Sequence, residues 1–193
     1  DPVTGATPAG FYAQVSSRGS YAAVADCIIP AGFDLLLGHD KDRLWCLPKS
    51  AGGQRADERN LLEEIGAAGY TSVKDLAQLK QAPEERRVFG QIDGAVLFNS
   101  ETCLGEFTAA AITRLARNQR GFFLMVESSL PDGGGHSNKP EYTVCGTLQA
   151  DWTVKAALDF ALPRKDTLVL VTADHETGGL SCTMSRTAPH QLV

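Results

Sequence analysis

A chain of 193 residues with 43% apolar and 21% charged side chains is composed like a globular protein and is long enough to bury a core as one domain, 1–193. Its net charge of −5, with basic residues scattered and the densest group, Glu84-Glu-Arg-Arg87, self-compensating, excludes nucleic acid as a partner, which would demand a basic stripe. No apolar run reaches the roughly 18–20 residues of a membrane span, and the opening Asp1-Pro-Val-Thr has neither region of a signal peptide, as would also hold for a processed secreted chain.

In chain order, Pro8 suits the first turn of a helix running through Phe11, Tyr12 and Val15. Residues 21–29 have helical spacing and stop at Pro30. Residues 33–37 read as a short strand, and the polar, glycine-containing stretch 41–55 as a surface loop. Asp57 is the expected N-cap of a helix over 60–65, with Gly66 and Gly69 as stops. Ser72 is the expected cap of a helix over 73–79. Residues 87–92 read as a strand, and 106–118 as an amphipathic helix with Phe107, Ile112 and Leu115 toward a sheet. A strand over 121–127, a glycine-rich loop, a helix over 147–162 and a strand over 167–173 complete the order. Strands alternating with helices predict an α/β layered domain with a largely parallel sheet flanked by helices. The tail from Ser181 has weak periodicity.

Five cysteines (Cys27, Cys46, Cys103, Cys145, Cys182) are well spread, with no Cys-x-x-Cys pair, which argues against a thiolate zinc site. Small buried thiols, with one or two bridges among them, are the expectation.

The chemistry concentrates at two places. The apolar run 167–172 leads directly into Asp174-His175-Glu-Thr-Gly-Gly, so a carboxylate and an imidazole stand at a strand's C-terminal end, the edge where open α/β sheets bind ligands. The run Phe122-Phe-Leu-Met-Val-Glu127 likewise ends in an acid, followed by Asp132 and His136. A spacing of i, i+4 puts the last two on one face if the segment is helical. Each residue also has a plain reading: Glu127 as a solvent-facing acid, Asp174 as a turn cap, Thr7 as a helix cap, Arg18 as a surface arginine. Asp-Gly-Gly-Gly-His in isolation reads as a flexible turn, because each glycine costs about 0.8–1 kcal/mol relative to alanine inside a helix.

Together these motifs resemble the metal core of the alkaline phosphatases. Ala6-Thr-Pro-Ala-Gly-Phe-Tyr12, Ser17-Arg18, Phe33-Asp-Leu-Leu-Leu-Gly38, Asn60-Leu-Leu62, Gly69-Tyr70 and Phe107-Thr108 with Ala111-Ile112, Leu115 and Asn118 fall in that family's order. The resemblance runs to about Leu180 and is to a central fragment of a considerably longer enzyme, so the α/β domain is expected to be incomplete. It implies two zinc ions, one held by Asp132 and His136 and the other by Asp174 and His175, and one magnesium at Thr7 and Glu127. Hard magnesium suits the oxygen ligands, and paired zinc ions stabilise the entering and leaving oxygens of a phosphoryl displacement. Arg18 matches the arginine that grips the phosphoryl group, for which a planar guanidinium is suited.

The implied activity is hydrolysis of phosphate monoesters, by a homodimer in a secreted, periplasmic or cell-surface location. The family's nucleophile is a serine in an Asp-Ser pair. No such dipeptide occurs here, so no catalytic residue is assigned and the nucleophile is expected outside this chain. A third zinc histidine beyond Leu180 is not evident, with His190 not expected to be a ligand, and Gly5 stands where the family places Asp or His near magnesium. His39 and Asp40, where the family continues glycine, have no assigned role. The alternatives are a non-catalytic metal- or phosphate-binding remnant, and a related phosphodiesterase or sulfatase.

Overall fold

The computed structural model describes residues 1–40, 43–94 and 103–181. Cys182, His190 and the rest of the tail lie outside them, as do residues 41 and 42 of the expected loop. Three short runs rich in leucine, aromatic and β-branched residues form a parallel sheet: β1 (Leu35–His39), β2 (Tyr70–Val73) and β3 (Arg87–Ile92). Their order is β1-β3-β2, with Leu37 and Val73 both opposite Gly90. A Cβ at Gly90 would strike the Leu37 side chain and approach Val73 Cγ2 to 3.1 Å. The central strand therefore omits a side chain where its two neighbours crowd it.

Successive residues of β3 face opposite layers. Phe89 joins Ile28, Leu61, Ile65 and Tyr70 in one buried cluster, while Val88 and Ile92 join Val73, Leu79, Cys103 and Phe107 in the other. The first layer comes from α2 (Tyr21–Asp26), α3 (Ile28–Ala31) and α5 (Leu61–Ala67), the second from α6 (Leu76–Gln81) and α7 (Cys103–Leu115). This is the helix-flanked parallel sheet expected of the α/β pattern. α1 (Ala6–Ala9), α4 (Arg43–Cys46) and a 3-10 turn (Lys49–Ala51) occupy connections. Beyond α7 come α8 (Leu130–Ser137) and the long α9 (Pro140–Ala161).

Several elements depart from expectation for identifiable reasons. Residues 70–73 are a strand, not the lead into a helix capped by Ser72. Tyr70, Thr71 and Val73 suit a pleated surface, and the true cap is Asp75, which accepts from Gln78 N at 2.7 Å. Asp57 does not cap α5, whose N-cap is Asn60, because Asp57 is taken by Arg55 at 2.9 and 2.5 Å. The helix expected over 21–29 breaks at Cys27, and Pro30 lies inside α3. β1 starts two residues late, the helix around Pro8 is only four residues long, and α7 and α9 begin earlier than predicted. α9 starts on Pro140, a residue well suited to a first turn.

The runs 121–127 and 167–173, expected as strands, carry no regular secondary structure and join no ladder among the described residues. A short apolar run favours a strand, yet a strand also needs a partner for its backbone groups. Leu168 and Leu170 are accordingly 80% exposed. The four described cysteines are free thiols, so the expected bridges are absent among the described residues. No described helix is long and apolar enough to cross a membrane.

Candidate metal centre

The glycine run that argued for a turn is instead the middle of α8. Pro131 sits in its first turn, and Asn138 ends it in the left-handed conformation at φ 52°, a usual helix stop. Two of the glycines are contact points. A Cβ at Gly134 would lie 2.6 Å from Thr143 N on α9, and one at Gly135 would lie 2.5 Å from the Thr177 carbonyl oxygen. Asp132 and His136 consequently share a face one turn apart, with His136 Nε2 3.5 Å from Asp132 Oδ1.

The second cluster is built by a tight turn. Asp174 Oδ1 accepts from His175 N at 3.0 Å, and Glu176 Oε2 accepts from Gly179 N at 2.8 Å. Gly178 and Gly179 take φ of 76° and 66°, which non-glycine residues adopt only at a cost. The turn returns Thr177 toward α8, where a Cβ on Gly178 would meet the Gly135 carbonyl at 2.7 Å. The two segments thus close backbone against backbone. His175 Nε2 lies 3.3 Å from Asp174 Oδ2.

Thr177 connects the two carboxylate–imidazole pairs. Its hydroxyl donates to Asp132 Oδ1 at 2.5 Å and lies 3.2 Å from His175 Nδ1. That nitrogen also lies 2.8 Å from the Glu176 carbonyl oxygen. The Glu176 carbonyl first, then the Asp174 and Asp132 carboxylates, raise the His175 imidazole above its ordinary pKa. Two ligand atoms about 2.0–2.1 Å from one tetrahedral zinc lie about 3.3–3.4 Å from each other, and the separations of 3.3 and 3.5 Å within the pairs suit such a chelate. Among the described residues no three His, Cys, Asp or Glu side chains form one group. Each pair therefore offers two protein ligands where a catalytic zinc takes three.

Glu127 lies at the end of the run 121–127. Its Oε2 is buried and accepts no hydrogen bond, with the Asp1 amino group 3.8 Å away. A buried carboxylate oxygen without a donor is costly, and a hard cation is one way to satisfy it. Thr7 is half-buried on α1 and shares no hydrogen bond with Glu127. The turn after α1 meets the 121–127 run through Phe11 and Phe123, whose ring centroids are 5.8 Å apart. Arg18 is exposed in the loop after α1. His39 pairs with Asp40 at 3.0 Å at the end of β1. Ser128 donates to the Gly146 carbonyl at 3.0 Å, and Ser129 accepts from the Asp1 amino group at 2.9 Å. Thr177, Gly135 and Gly178 had no assigned role in the sequence. Thr177 does lie within the Asp174 motif, but its hydroxyl's reach across 45 residues to Asp132 has no local signature.

A family model described as "Alkaline phosphatase" matches residues 2–191. Alkaline phosphatase 4 of Bacillus subtilis is 35% identical over 182 residues, covering 91% of this chain and 38% of that protein. Alkaline phosphatase from the Antarctic bacterium TAB5 superposes with a TM-score of 0.80 at 29% identity, over 92% of this chain and 52% of that one. A mutant of the TAB5 enzyme solved with Mg bound in its M3 site superposes at 0.76 and 28% identity, over 92% of this chain and 51% of that one. The chain spans about two fifths of the length of the first curated relatives it matches, 38% and 39%. Its motifs, its helix-flanked parallel sheet and a family match running from residue 2 to residue 191 make it a member of the alkaline phosphatase family.

Proposed function

We propose that these 193 residues form the metal-holding part of a single phosphomonoesterase domain. Asp132 with His136, and Asp174 with His175, each hold one zinc; Glu127 with Thr7 holds magnesium. The observation that carries this reading is the joining of the two carboxylate–imidazole pairs by one threonine hydroxyl, with ligand atoms 3.3 and 3.5 Å apart within each pair. The Oε2 of Glu127, buried without a hydrogen-bond donor, supports a cation there, and so does the Mg bound in a mutant of the TAB5 relative.

When bound, the metals polarise phosphoryl and water oxygens. The chain's own residues do the rest. α8 and the 174–179 turn hold the ligand atoms in place, and the carboxylates offset the charge collected there. Arg18, exposed on its loop, is free to turn its planar guanidinium to two oxygens of a phosphate monoester. Ser128 holds a structural hydrogen bond to the Gly146 carbonyl, and neither it nor Ser129 is assigned the attack. The nucleophile lies outside these residues, and the homodimer and exported location implied by the family belong to the same reading.

Elemental analysis and turnover of a chromogenic phosphate monoester test it, on the longer protein that contains these residues. Asp174→Ala and His136→Ala should each lose zinc and most turnover. Wild-type zinc content and turnover in both variants would remove these residues from the centre. Zinc that binds and is lost on mutation, with no turnover at any stage, would identify a non-catalytic remnant.

A further inference from the structure

Resting on the zinc-binding reading above, we infer that Thr177 is a positioning residue whose hydroxyl locks the two carboxylate–imidazole pairs into one cation-binding unit and fixes which His175 nitrogen is free to bind. A threonine hydroxyl has one proton and can also accept. Its 2.5 Å contact with Asp132 Oδ1 takes that proton, since an ionised carboxylate only accepts. Towards His175 Nδ1, at 3.2 Å, the hydroxyl can then serve only as acceptor. The other neighbour of Nδ1, the Glu176 carbonyl at 2.8 Å, is also an acceptor. Nδ1 therefore carries the proton, shared between two oxygens. In the neutral ring His175 Nε2 then keeps its lone pair, 3.3 Å from the Asp174 carboxylate.

In that form two electron-pair donors face each other at a distance one cation can bridge. Orienting a ligand histidine through its other nitrogen is a common requirement of metal sites. Here one hydroxyl does so while also tethering the carboxylate of the neighbouring pair. The close approach depends on bare backbone. Gly135 and Gly178 meet where side chains would hold the turn away from α8, a Gly135 Cβ falling 2.5 Å from the Thr177 carbonyl oxygen. Thr177 is half-buried and belongs to neither core cluster, so its replacement removes no core contact.

The test compares the full 193-residue chain with Thr177→Val, Thr177→Ser and Gly135→Ala by calorimetric zinc titration. The ring-nitrogen NMR shifts of His175 are recorded with and without Zn²⁺ at a pH where the ring is neutral. Thr177→Val should weaken zinc binding by about 10–100-fold, the range for loss of a group that orients a ligand. Thr177→Ser, which keeps the hydroxyl, should restore binding. Gly135→Ala should reproduce the loss with the hydroxyl present. Without metal, wild type and Thr177→Ser should show Nδ1 protonated, while Thr177→Val shows a larger share of the Nε2–H form. Wild-type zinc affinity in Thr177→Val, or a His175 that binds through Nδ1, would overturn the assignment. If no variant binds zinc, the metal reading fails and the metal-free spectra still decide this one: an unchanged tautomer ratio in Thr177→Val sinks it.

Discussion

Arg55 is the most buried charged residue described, 1% exposed, and shows how one side chain can organise a connection. Its guanidinium donates to Asp57 at 2.9 and 2.5 Å, to Asp26 at 2.9 Å, and to the Ala22 and Trp45 carbonyls. Those partners tie the loop after β1 to α2. Removing one member of a fully buried pair costs about 3–5 kcal/mol. Asp26 and Asp57 are 38% and 46% exposed and stay partly hydrated, so Arg55→Ala should cost less, roughly 2–3 kcal/mol, read from the urea midpoint. Asp57 supplies the matching pH dependence. The Arg55 hydrogen bond, aided by the Arg59 amide, holds its carboxyl down to about 2 from an ordinary 3.8. A depressed folded value means the contribution is complete above the unfolded value, near 3.8, and is lost as pH falls through about 2. Wild type should therefore lose stability across that window while Arg55→Ala, already without the contact, shows a flatter acid limb. Equal slopes would show that Asp57 is not coupled to Arg55 in solution.

At the scale of elements, glycine decides α8. Gly133 faces open space, Gly134 and Gly135 face close neighbours, and Gly146 on α9 faces Pro131, whose nitrogen would lie 2.6 Å from a Cβ there. Gly133→Ala should stabilise the chain by about 0.4–1 kcal/mol through helix propensity and a less flexible unfolded state. Gly134→Ala and Gly146→Ala should destabilise it, because each Cβ meets backbone that cannot swing aside. Thermal melts of the three variants separate the cases, and a melting point raised by all three would mean that α8 and α9 do not pack at these glycines. The same residues explain what was legible. Propensity alone favours a turn at Asp-Gly-Gly-Gly-His, since the contacts that reward the glycines lie on another helix and another loop. The i, i+4 spacing of Asp132 and His136 was readable, whereas the meeting of α8 with the 174–179 turn was not. β3 was placed with the boundaries seen, because its apolar run is buried on both faces. β2 was missed because Ser72 and Asp75 are both good caps and only the sheet selects between them.

For the whole molecule, the parallel sheet and its two helical layers follow from alternating strand and helix patterns, but among the described residues three strands form where four are anticipated, and one of the three reads as a helix lead. Residues 121–127 and 167–173 carry strand-like sequences that end in the candidate ligands, yet they leave Phe123, Leu168, Leu170 and Val171 69–80% exposed. Periodicity reports which face a segment would bury, and says nothing of what is available to bury it. This chain spans about two fifths of its first curated relatives, and these two runs have no strand partner among its described residues. Backbone outside any ladder opens locally at little cost, whereas a central strand opens only with the whole domain. Amide hydrogen exchange on the 193-residue chain should therefore find β3 the slowest segment and residues 122–126 and 168–172 close to unprotected rates. Zinc should slow exchange in the 174–179 turn and at the C-terminal end of the 167–173 run by tying the turn to α8. Protection of both runs equal to that of β3 in the metal-free chain, at a dilution where it is monomeric, would show that they have found sheet partners. The exposed apolar faces described here would then not exist in solution.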